Sequence, residues 1–232
     1  MKRFLLINLA LFFVTPLSLL FSTGGDVIAE QTEEDAVSFR WAFGAMVGST
    51  DDRRLVAITR DTVLKTGDRL KMLIELKNRC FVYLFYRTAE DDICLLFPYD
   101  LNLFESDYKT GEKYYIPRGN TWFELDKKVG LETFYLLASA KRLEQLEEQC
   151  RKYESAGGEE KKKLAKRLLT EIRNIKKKHR TLAIPAERPI PIGGNVRGGL
   201  DEKDAPLPDI DPIASEVCAV NFYSKTFTIE HE

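Results

Sequence analysis

The sequence has only two histidines, and neither lies in a pattern that enzymatic chemistry requires. His179 follows a run of lysines near the end of a predicted helix, and His231 is the last residue but one. Serine and cysteine nucleophiles act with a base that a third group holds in place, and the sequence suggests no such group for either ring. We expect His179 to be solvated at a helix C-terminus, where a cation is favoured, and His231 to fray. The sequence therefore predicts no catalytic residues.

Motifs for metals and cofactors are also missing. No Cys-x-x-Cys pair occurs, which excludes a zinc knuckle and a thioredoxin-type motif. Residues 193–199 are rich in glycine but lack the Gly-Lys-Ser/Thr of a phosphate-binding loop. The acidic residues at 90–92 and 201–211 lack the spacing of an EF-hand, and we interpret them as solvated turns. We therefore predict no metal and no cofactor.

Cysteine is scarce, with four residues: Cys80, Cys94, Cys150 and Cys218. An exported protein could join them in disulfides. If residues 80–87 and 93–99 pair around a turn, Cys94 faces Tyr86 and Cys80 lies about 20 Å further along its strand. A disulfide needs Cα atoms within about 7 Å, which argues against a bond between Cys80 and Cys94. Buried free thiols are favoured, and the other pairings stay open.

Strong net charge is absent as well, because 35 basic residues nearly balance 36 acidic ones. Such a chain has no overall electrostatic preference for nucleic acid or membranes. The charges are unevenly placed, however: residues 141–180 hold 14 Lys and Arg against 7 Asp and Glu, and the rest of the chain holds 21 against 29. The total therefore hides a basic segment on an acidic body. No aromatic residues are interleaved on its polar face, so nucleic-acid binding is not expected.

The N-terminus has the parts of a secretory signal. Positive charge at Lys2 and Arg3 precedes an apolar run at residues 4–21, and residues 27–29 resemble a cleavage site. We expect export to the periplasm or the extracellular space, with residues 1–29 removed as a signal peptide. An uncleaved N-terminal membrane anchor is the alternative, because 18 apolar residues are just enough to span a bilayer.

Residues 39–139 have a β pattern, which follows a polar lead-in at 30–38. Candidate strands cover residues 55–59, 70–76, 80–87, 93–99, 113–116, 121–125 and 131–138, and a last strand covers 217–229. Most turns between them contain Gly or Pro. Short strands at this spacing are typical of a sandwich or a barrel. We predict a mainly β fold, an antiparallel β-sandwich of Ig-like or related type.

After residue 139 the apolar period becomes helical. Gly157-Gly158 separates two apolar stripes, formed by Leu143, Leu146, Cys150 and Tyr153 and then by Leu164, Leu168, Ile172 and Ile175. This pattern predicts an αα-hairpin inserted at 140–180. Residues 183–212 contain six prolines and two Gly-Gly pairs, which predicts a loop. We therefore predict a single β-sandwich domain over residues 30–232, with this hairpin as an insertion.

Several short motifs occur in a recognisable order: Gly67-Asp68, the aromatic strand at 81–86, Leu96-Phe97-Pro98, Ile116-Pro117, and Gly130-Leu131-Glu132 through Ala138-Ser139. Together they resemble the bacterial domain-of-unknown-function family 4384, over about residues 62–147. That family's domain is often appended to kinases, caspase-like peptidases or repeat modules, so the resemblance implies an accessory role without catalysis. The family has no agreed catalytic residues, so none is assigned here.

The strand at 81–86 is apolar or aromatic at every position, whereas a strand with one solvated face should alternate. By parity it presents two sets, Val82, Leu84 and Tyr86 on one side and Phe81, Tyr83 and Phe85 on the other. The first set can meet an opposite sheet. We expect the helical hairpin to dock on the second, aromatic set. If these three side chains are instead exposed, they mark a binding surface.

The basic segment is a second candidate surface, represented by Lys161, Lys162, Lys166, Arg173 and Lys177. It would suit another envelope protein or an anionic envelope component, although solvated lysines paired with glutamates give the same pattern. We therefore expect an exported, non-catalytic binding or assembly module of the bacterial cell envelope. Two alternatives stay open: a hydrolase that acts on envelope glycan through two carboxylates, and a membrane-tethered structural partner protein.

Overall fold

The computed structural model describes residues 35–49, 52–180, 186–189 and 208–232, and strands outnumber helices among them. The signal peptide predicted at 1–29 and most of the loop predicted at 183–212 lie outside the described residues. Where that loop is described, Ala186–Pro189 forms a strand, so the loop prediction is wrong there. Within the described part, no helix is both long enough and apolar enough to cross a membrane. The prediction of a mainly β chain is confirmed.

The elements of the described residues follow one another in a simple order. The strands are β1 (Ala36–Val47), β2 (Arg54–Ala57), β3 (Thr62–Leu64), β4 (Arg69–Leu76), β5 (Phe81–Arg87), β6 (Ile93–Phe97), β7 (Lys113–Ile116), β8 (Phe123–Glu124), β9 (Gly130–Ser139), β10 (Ala186–Pro189), β11 (Ser215–Val220) and β12 (Phe222–His231). The α-helices are α1 (Leu103–Ser106), α2 (Glu144–Ser155) and α3 (Gly158–His179), and a 3-10 helix covers Asp211–Ile213.

The first sheet is antiparallel, with β1 and β4 at its centre. Its strand order is β10-β11-β1-β4-β7, and the short strands β2 and β8 pair with parts of β1 and β4. β1 begins at Ala36, inside the segment that the sequence indicates is a polar lead-in. Val37 is buried there, and the side-chain amide of Asn78 donates to the Ala36 carbonyl at 2.9 Å. The lead-in therefore ends earlier than predicted.

The second sheet has the order β3-β12-β9-β5-β6. All its pairs are antiparallel except β3 with β12, which is parallel. The expectation of a wholly antiparallel fold is therefore wrong at this pair. Parallel neighbours need a crossover connection, and the long chain between β3 and β12 supplies one.

The predicted last strand is in fact two strands that belong to different sheets. β11 pairs with β1 in the first sheet, and β12 pairs with β9 in the second. Asn221 separates them with a φ of 63°, a left-handed conformation that asparagine tolerates better than most residues. Its backbone N–H donates to the Asp35 carbonyl at 2.6 Å, and its carbonyl accepts from the Ala140 N–H at 3.0 Å. Local apolar pattern alone does not reveal this break.

One hydrophobic core lies between the two sheets. Phe43 of β1 and Phe134 of β9 meet across it with ring centroids 4.9 Å apart, and Trp41 meets Phe227 of β12 at 5.1 Å. Burial of one such side chain contributes about 1.5–3 kcal/mol. Since β1, β4 and β9 alternate in period two, their inward sets fill this core, which places the two sheets face to face.

The predicted pairing of β5 with β6 is confirmed. Tyr86 faces Cys94 and Arg87 faces Ile93, with an irregularity between Leu84 and Phe85. All four cysteines have free thiols, as the sequence favours, but Cys94 and Cys218 are exposed, so the prediction that the thiols are buried holds only for Cys80 and Cys150. Val82 and Leu84 enter the core between the sheets, as parity predicts.

The other face of β5 is covered by α2 and α3. Tyr83 and Phe85 are 0% and 1% exposed and share one apolar cluster with both predicted helical stripes. Phe81 is half-buried at the edge of this cluster, where its ring meets Phe104 of α1 at a centroid distance of 5.3 Å. Tyr83 and Phe85 are therefore inside the protein and Phe81 is half-buried, so the alternative prediction that these three residues form an exposed binding surface is wrong.

A buried ionic network fixes α2 on this face. Glu147 accepts from the Tyr83 hydroxyl at 2.7 Å and from Arg142 Nη2 at 2.5 Å. The Tyr83 oxygen in turn accepts from the Leu143 N–H at 3.0 Å, at the start of α2. Burial alone would raise the pKa of Glu147, but the hydrogen bonds from Arg142 and Tyr83 hold it below its ordinary value. The carboxylate is therefore charged, buried and paired, which gives α2 one defined position.

Candidate binding site

A cavity of about 310 Å³ lies at one end of the two-sheet body, between the sheets. Leu70 of β4 and Phe123 of β8 line it from the first sheet, and Tyr86, Leu96 and Phe134 line it from the second. Loop residues after β5 and after β8 complete its wall. Small-molecule sites span about 300–1,000 Å³, so the cavity has room for a small ligand or one side chain.

Glu132 places a buried carboxyl group in the cavity wall. Alternation along β9 turns it inward with Phe134 and Leu136, which belong to the core, and the residue is 6% exposed. Its Oε2 atom is buried. The carboxyl group has the Tyr86 hydroxyl as a hydrogen-bond partner. Glu132 and Tyr86 therefore form a polar contact in the cavity wall.

Tyr86 is the aromatic neighbour of Glu132 in the cavity. Its ring lies 4.8 Å from the ring of Phe134, centroid to centroid. Burial, the negative charge of Glu132 and a hydrogen bond to Glu132 raise the pKa of the Tyr86 phenol above its ordinary value. The hydroxyl therefore stays protonated at neutral pH and donates to the carboxyl group.

His231 lies behind Glu132 and is buried, so the expectation that it frays is wrong. It is 2% exposed, because β12 pairs it with Leu64 of β3 on one side and with Gly130 of β9 on the other. Its Nδ1 atom is 3.4 Å from Glu132 Oε1, and its Nε2 atom is 3.2 Å from Thr66 Oγ1. The imidazole therefore joins the cavity carboxyl group to the turn between β3 and β4.

The rim of the cavity carries more negative than positive charge. Glu90, Glu124 and Asp126 line it together with a single lysine, Lys128. Lys128 pairs with Glu90 at 3.1 Å, and Arg69, next to the cavity, pairs with Glu124 at 2.9 Å. After these two pairs, the carboxylate of Asp126 leaves an excess of negative charge at the rim.

Gly130 packs close to the cavity wall with a φ of +143°. A Cβ atom at this position would come within 2.7 Å of the Ala89 Cβ, which is too close for carbon atoms. Ala89 itself lines the cavity. The glycine therefore lets β9 approach the turn after β5, and this approach shapes one side of the site.

The basic candidate residues lie on α3, away from the cavity. Lys162, Lys166, Arg173 and Lys177 are exposed, while Lys161 is half-buried with its Nζ atom 5.0 Å from the centre of the Tyr153 ring. Lys162 pairs with Glu159 at 2.8 Å. Helical periodicity places Lys162, Lys166, Arg173 and Lys177 on one face away from the buried stripe of α3, whereas Lys161 lies on the same face as that stripe. The exposure of these four side chains agrees with the sequence, and the structure does not bring them together with Phe81, Tyr83 and Phe85 in one surface.

His179 differs from its expected solvated state. It is half-buried, and its ring stacks on Phe222 of β12 at a centroid distance of 4.5 Å. Burial and the nearby Lys178 lower the pKa of His179 below its ordinary value. The cation is therefore less favoured than in a solvated histidine, because burial and the like charge of Lys178 both oppose it.

The cavity was not identified from the sequence, although one signal was present. Glu132 has the same parity as Phe134, Leu136 and Ala138, so the β9 pattern already places a carboxyl group on the inward face. Its partner His231 lies at the other end of the chain. Their proximity depends on the pairing of β9 with β12, which local pattern does not specify.

The fold and the site define a mainly β domain of two facing sheets with a cavity at one end and two helices on the outer face of one sheet. Residues 63–142 match the family "Domain of unknown function (DUF4384)", as the order of motifs predicts. Every residue that lines the cavity falls in this matched segment, whereas α2, α3 and His231 lie outside it. Neither curated proteins nor solved structures gave a significant match to the chain.

Proposed function

We propose that this protein is an exported, non-catalytic binding module of the bacterial cell envelope, and that its ligand occupies the end cavity. The observation that carries the proposal is a cavity of about 310 Å³ between the two sheets, with apolar walls and the polar pair of Tyr86 and Glu132. A few polar groups in an apolar pocket are typical of ligand sites. The signal-like N-terminus supports export, and the accessory role implied by the family resemblance supports binding without catalysis.

The test uses NMR of the protein with four small probes: an amine, an alcohol, a carboxylate and a sugar. We expect at least one probe to shift the ring signals of Tyr86 and Phe134 in a saturable way. Ala89→Trp should fill the cavity entrance and abolish the shifts, because Ala89 is an exposed residue of the cavity wall. Val129→Trp is the matched control, since Val129 is 58% exposed and does not line the cavity.

Two results would contradict this proposal. In the first, none of the probes shifts the two ring signals. In the second, the shifts persist unchanged in Ala89→Trp, which would place the binding elsewhere.

A second candidate function is attachment to an anionic partner through α3. The outer face of this helix is densely basic, and such a face would suit an acidic envelope protein or polymer. A pull-down from envelope extract at low and high salt tests it, because exposed charge pairs weaken strongly with ionic strength. Association that is unchanged by salt, or by removal of the charges in Lys162→Gln/Lys166→Gln, would contradict it.

A hydrolase remains the contrasting candidate, since Glu90, Glu124, Asp126 and Glu132 surround one space. Glycoside hydrolysis needs two carboxyl groups about 5–9.5 Å apart across the scissile bond. If so, wild-type protein should release reducing sugar from envelope glycan and Glu132→Gln should not. The membrane-tethered alternative is decided by the mature N-terminus, which would be Met1 in a tethered protein.

The finer fold class is also a proposal. We infer a β-sandwich of Ig-like or related type with α2 and α3 as an inserted hairpin. The two facing sheets support it, as does the position of both helices between β9 and β10.

A further inference from the structure

We propose that the outer face of α3 binds a flexible linear polyanion, a polymer that repeats phosphate or carboxylate groups along its chain. The inference rests on the second candidate function, names its partner, and does not depend on the cavity. Three features of α3 support it: its exposed cations are unpaired, their positions destabilise the helix, and the body of the protein holds the helix in place.

Most exposed cations of α3 have no carboxylate partner. The helix carries nine Lys and Arg against three Glu. Among the described residues, its exposed cations form a single ion pair, between Lys162 and Glu159 at 2.8 Å. The other exposed cations of α3 form no ion pair there: Lys163, Lys166, Arg167, Arg173, Lys177 and Lys178. This face of the helix therefore presents positive charge that no neighbouring carboxylate neutralises.

Pairing of lysine with glutamate, the other explanation of a basic helix, is found on α2 instead. There Glu147 pairs with Arg151 at 3.5 Å and Glu148 pairs with Lys152 at 2.5 Å, each over one helical turn. Pairs at this spacing stabilise a helix. The chain thus uses such pairs on one helix of the hairpin, whereas the neighbouring α3 has only the pair in its first turn.

The positions of the cations destabilise α3. Three pairs of like charge lie four residues apart: Lys162 with Lys166, Lys163 with Arg167, and Arg173 with Lys177. Like charges at this spacing face each other and destabilise a helix. The helix dipole favours cations only near the C-terminus, so it compensates Lys177 and not the pairs further up the helix. A polyanion on this face would remove the repulsion.

Four of the cations form one row. Lys162, Lys166, Arg173 and Lys177 project within about 60° of one another around the helix axis, and the row is about 22 Å long. Every exposed side chain of α3 is polar or charged. A helix on a membrane surface inserts apolar side chains, and single-stranded nucleic acid stacks on aromatic ones. The row therefore suits a flexible charged chain better than either of these partners.

The opposite face of α3 holds the row in place. Leu168 and Ile172 are 1% and 0% exposed in the apolar cluster beneath the helix. The Lys176 ammonium group donates to the Thr226 hydroxyl of β12. The helix is thus ordered before a ligand arrives, and binding does not have to order it.

The test measures binding of the wild-type protein to long-chain polyphosphate and to poly-L-glutamate by isothermal titration calorimetry. At least one polymer should bind, and inorganic phosphate at the same phosphate concentration should not compete, because a row of cations gains affinity from linked charges. Affinity should fall about fiftyfold between 50 and 200 mM salt, as for four cations on a single-stranded polyanion. The two polymers distinguish phosphate from carboxylate as the repeating group, and preference for either supports the proposal.

Variants then locate the site. Lys166→Gln/Arg173→Gln should weaken binding about fivefold or more and make it less dependent on salt, because two cations of the row are lost. Arg53→Gln/Arg54→Gln is the matched control. It removes the same charge from exposed positions at the start of β2, in the sheet that does not carry the helices, and should have a small effect.

Four results would overturn the proposal: neither polymer binds, inorganic phosphate competes as well as the polymers, the two double variants bind alike, or another partner binds more tightly. Phosphatidylglycerol vesicles and oligodeoxythymidylate serve as that other partner, and they would identify a membrane or nucleic acid. If neither polymer binds but Lys162→Gln/Lys166→Gln still abolishes the association in envelope extract, the polyanion is rejected and the second candidate function is kept. The cavity has its own probes, the ring signals of Tyr86 and Phe134, so its test is independent of this one.

Discussion

Replacing Tyr83 with phenylalanine tests how α2 is held on the second sheet. The Tyr83 side chain is fully buried, and its hydroxyl donates to Glu147 Oε1 at 2.7 Å while it accepts from the Leu143 N–H at 3.0 Å. The substitution removes one oxygen atom and keeps the ring in the apolar cluster. Any effect therefore reports on these two hydrogen bonds.

The expected loss is large for such a small change. A hydrogen bond to a charged group contributes about 1.5–3 kcal/mol and a neutral one about 0.5–1.5 kcal/mol. Glu147 keeps its bond from Arg142 Nη2 at 2.5 Å, so the carboxylate is not left unpaired. We expect the free energy of unfolding to fall by about 2–4 kcal/mol in Tyr83→Phe, which is about 4–16 °C in melting temperature for a domain of this size.

Tyr153→Phe is the matched control. Tyr153 belongs to α2, and its hydroxyl accepts one hydrogen bond, from the neutral backbone N–H of Ile93 in β6 at 3.2 Å. Its loss should cost about 0.5–1.5 kcal/mol. Urea unfolding followed by circular dichroism measures both variants, and hydrogen exchange should show faster opening at the start of α2 only in Tyr83→Phe. Equal losses in the two variants, or normal protection of α2 in Tyr83→Phe, would refute the reasoning.

Three further predictions concern Gly130, Glu147 and the four cysteines. Gly130→Ala should lower the free energy of unfolding by about 2 kcal/mol or more, because the new Cβ atom would lie 2.7 Å from the Ala89 Cβ at an unfavourable φ. Gly111→Ala is the control: its φ is +81°, but the new Cβ atom would meet no atom within 4 Å, so the loss should be only about 1 kcal/mol. The pKa of Glu147 is lower in the folded state than in the unfolded state. Its carboxylate therefore contributes to the free energy of unfolding above the unfolded pKa of about 4.3, and this contribution is lost as the pH falls through the folded pKa. Glu147→Gln should make the stability of the protein depend less on pH in this acid range. A thiol reagent should label two cysteines in the native protein and four after denaturation, because burial raises the pKa of two thiols to about 12. The buried pair is Cys80 and Cys150, and the exposed pair is Cys94 and Cys218. A free energy of unfolding that stays constant between pH 3 and 6 would contradict the prediction for Glu147. Labelling of all four cysteines in the native protein would contradict the prediction for the thiols.

Local pattern predicted much of the fold from particular residues. Alternation at Leu70, Met72 and Ile74 identified β4, and the turn between β5 and β6 fixed the pairing of Tyr86 with Cys94. The period of α2 and α3 predicted which side chains are buried, because the side chains three or four residues apart share one helical face. The two-sided apolar strand β5 required a cover on each face, and the structure provides the opposite sheet on one side and the helices on the other.

The sequence by itself thus determined β4, β5, β6, β9, the two helical stripes and the need to cover β5. No candidate strand covered β1, and β10 lies in the segment predicted to be a loop. Tertiary structure alone decided where distant strands pair: β12 next to β3 and β9, and β11 in the other sheet. That pairing buries His231 beside Glu132 and places a carboxyl oxygen in the cavity wall. The physical reason is that periodicity reports how one segment meets its surroundings, whereas a site depends on contacts between segments whose separation in the chain no local pattern records.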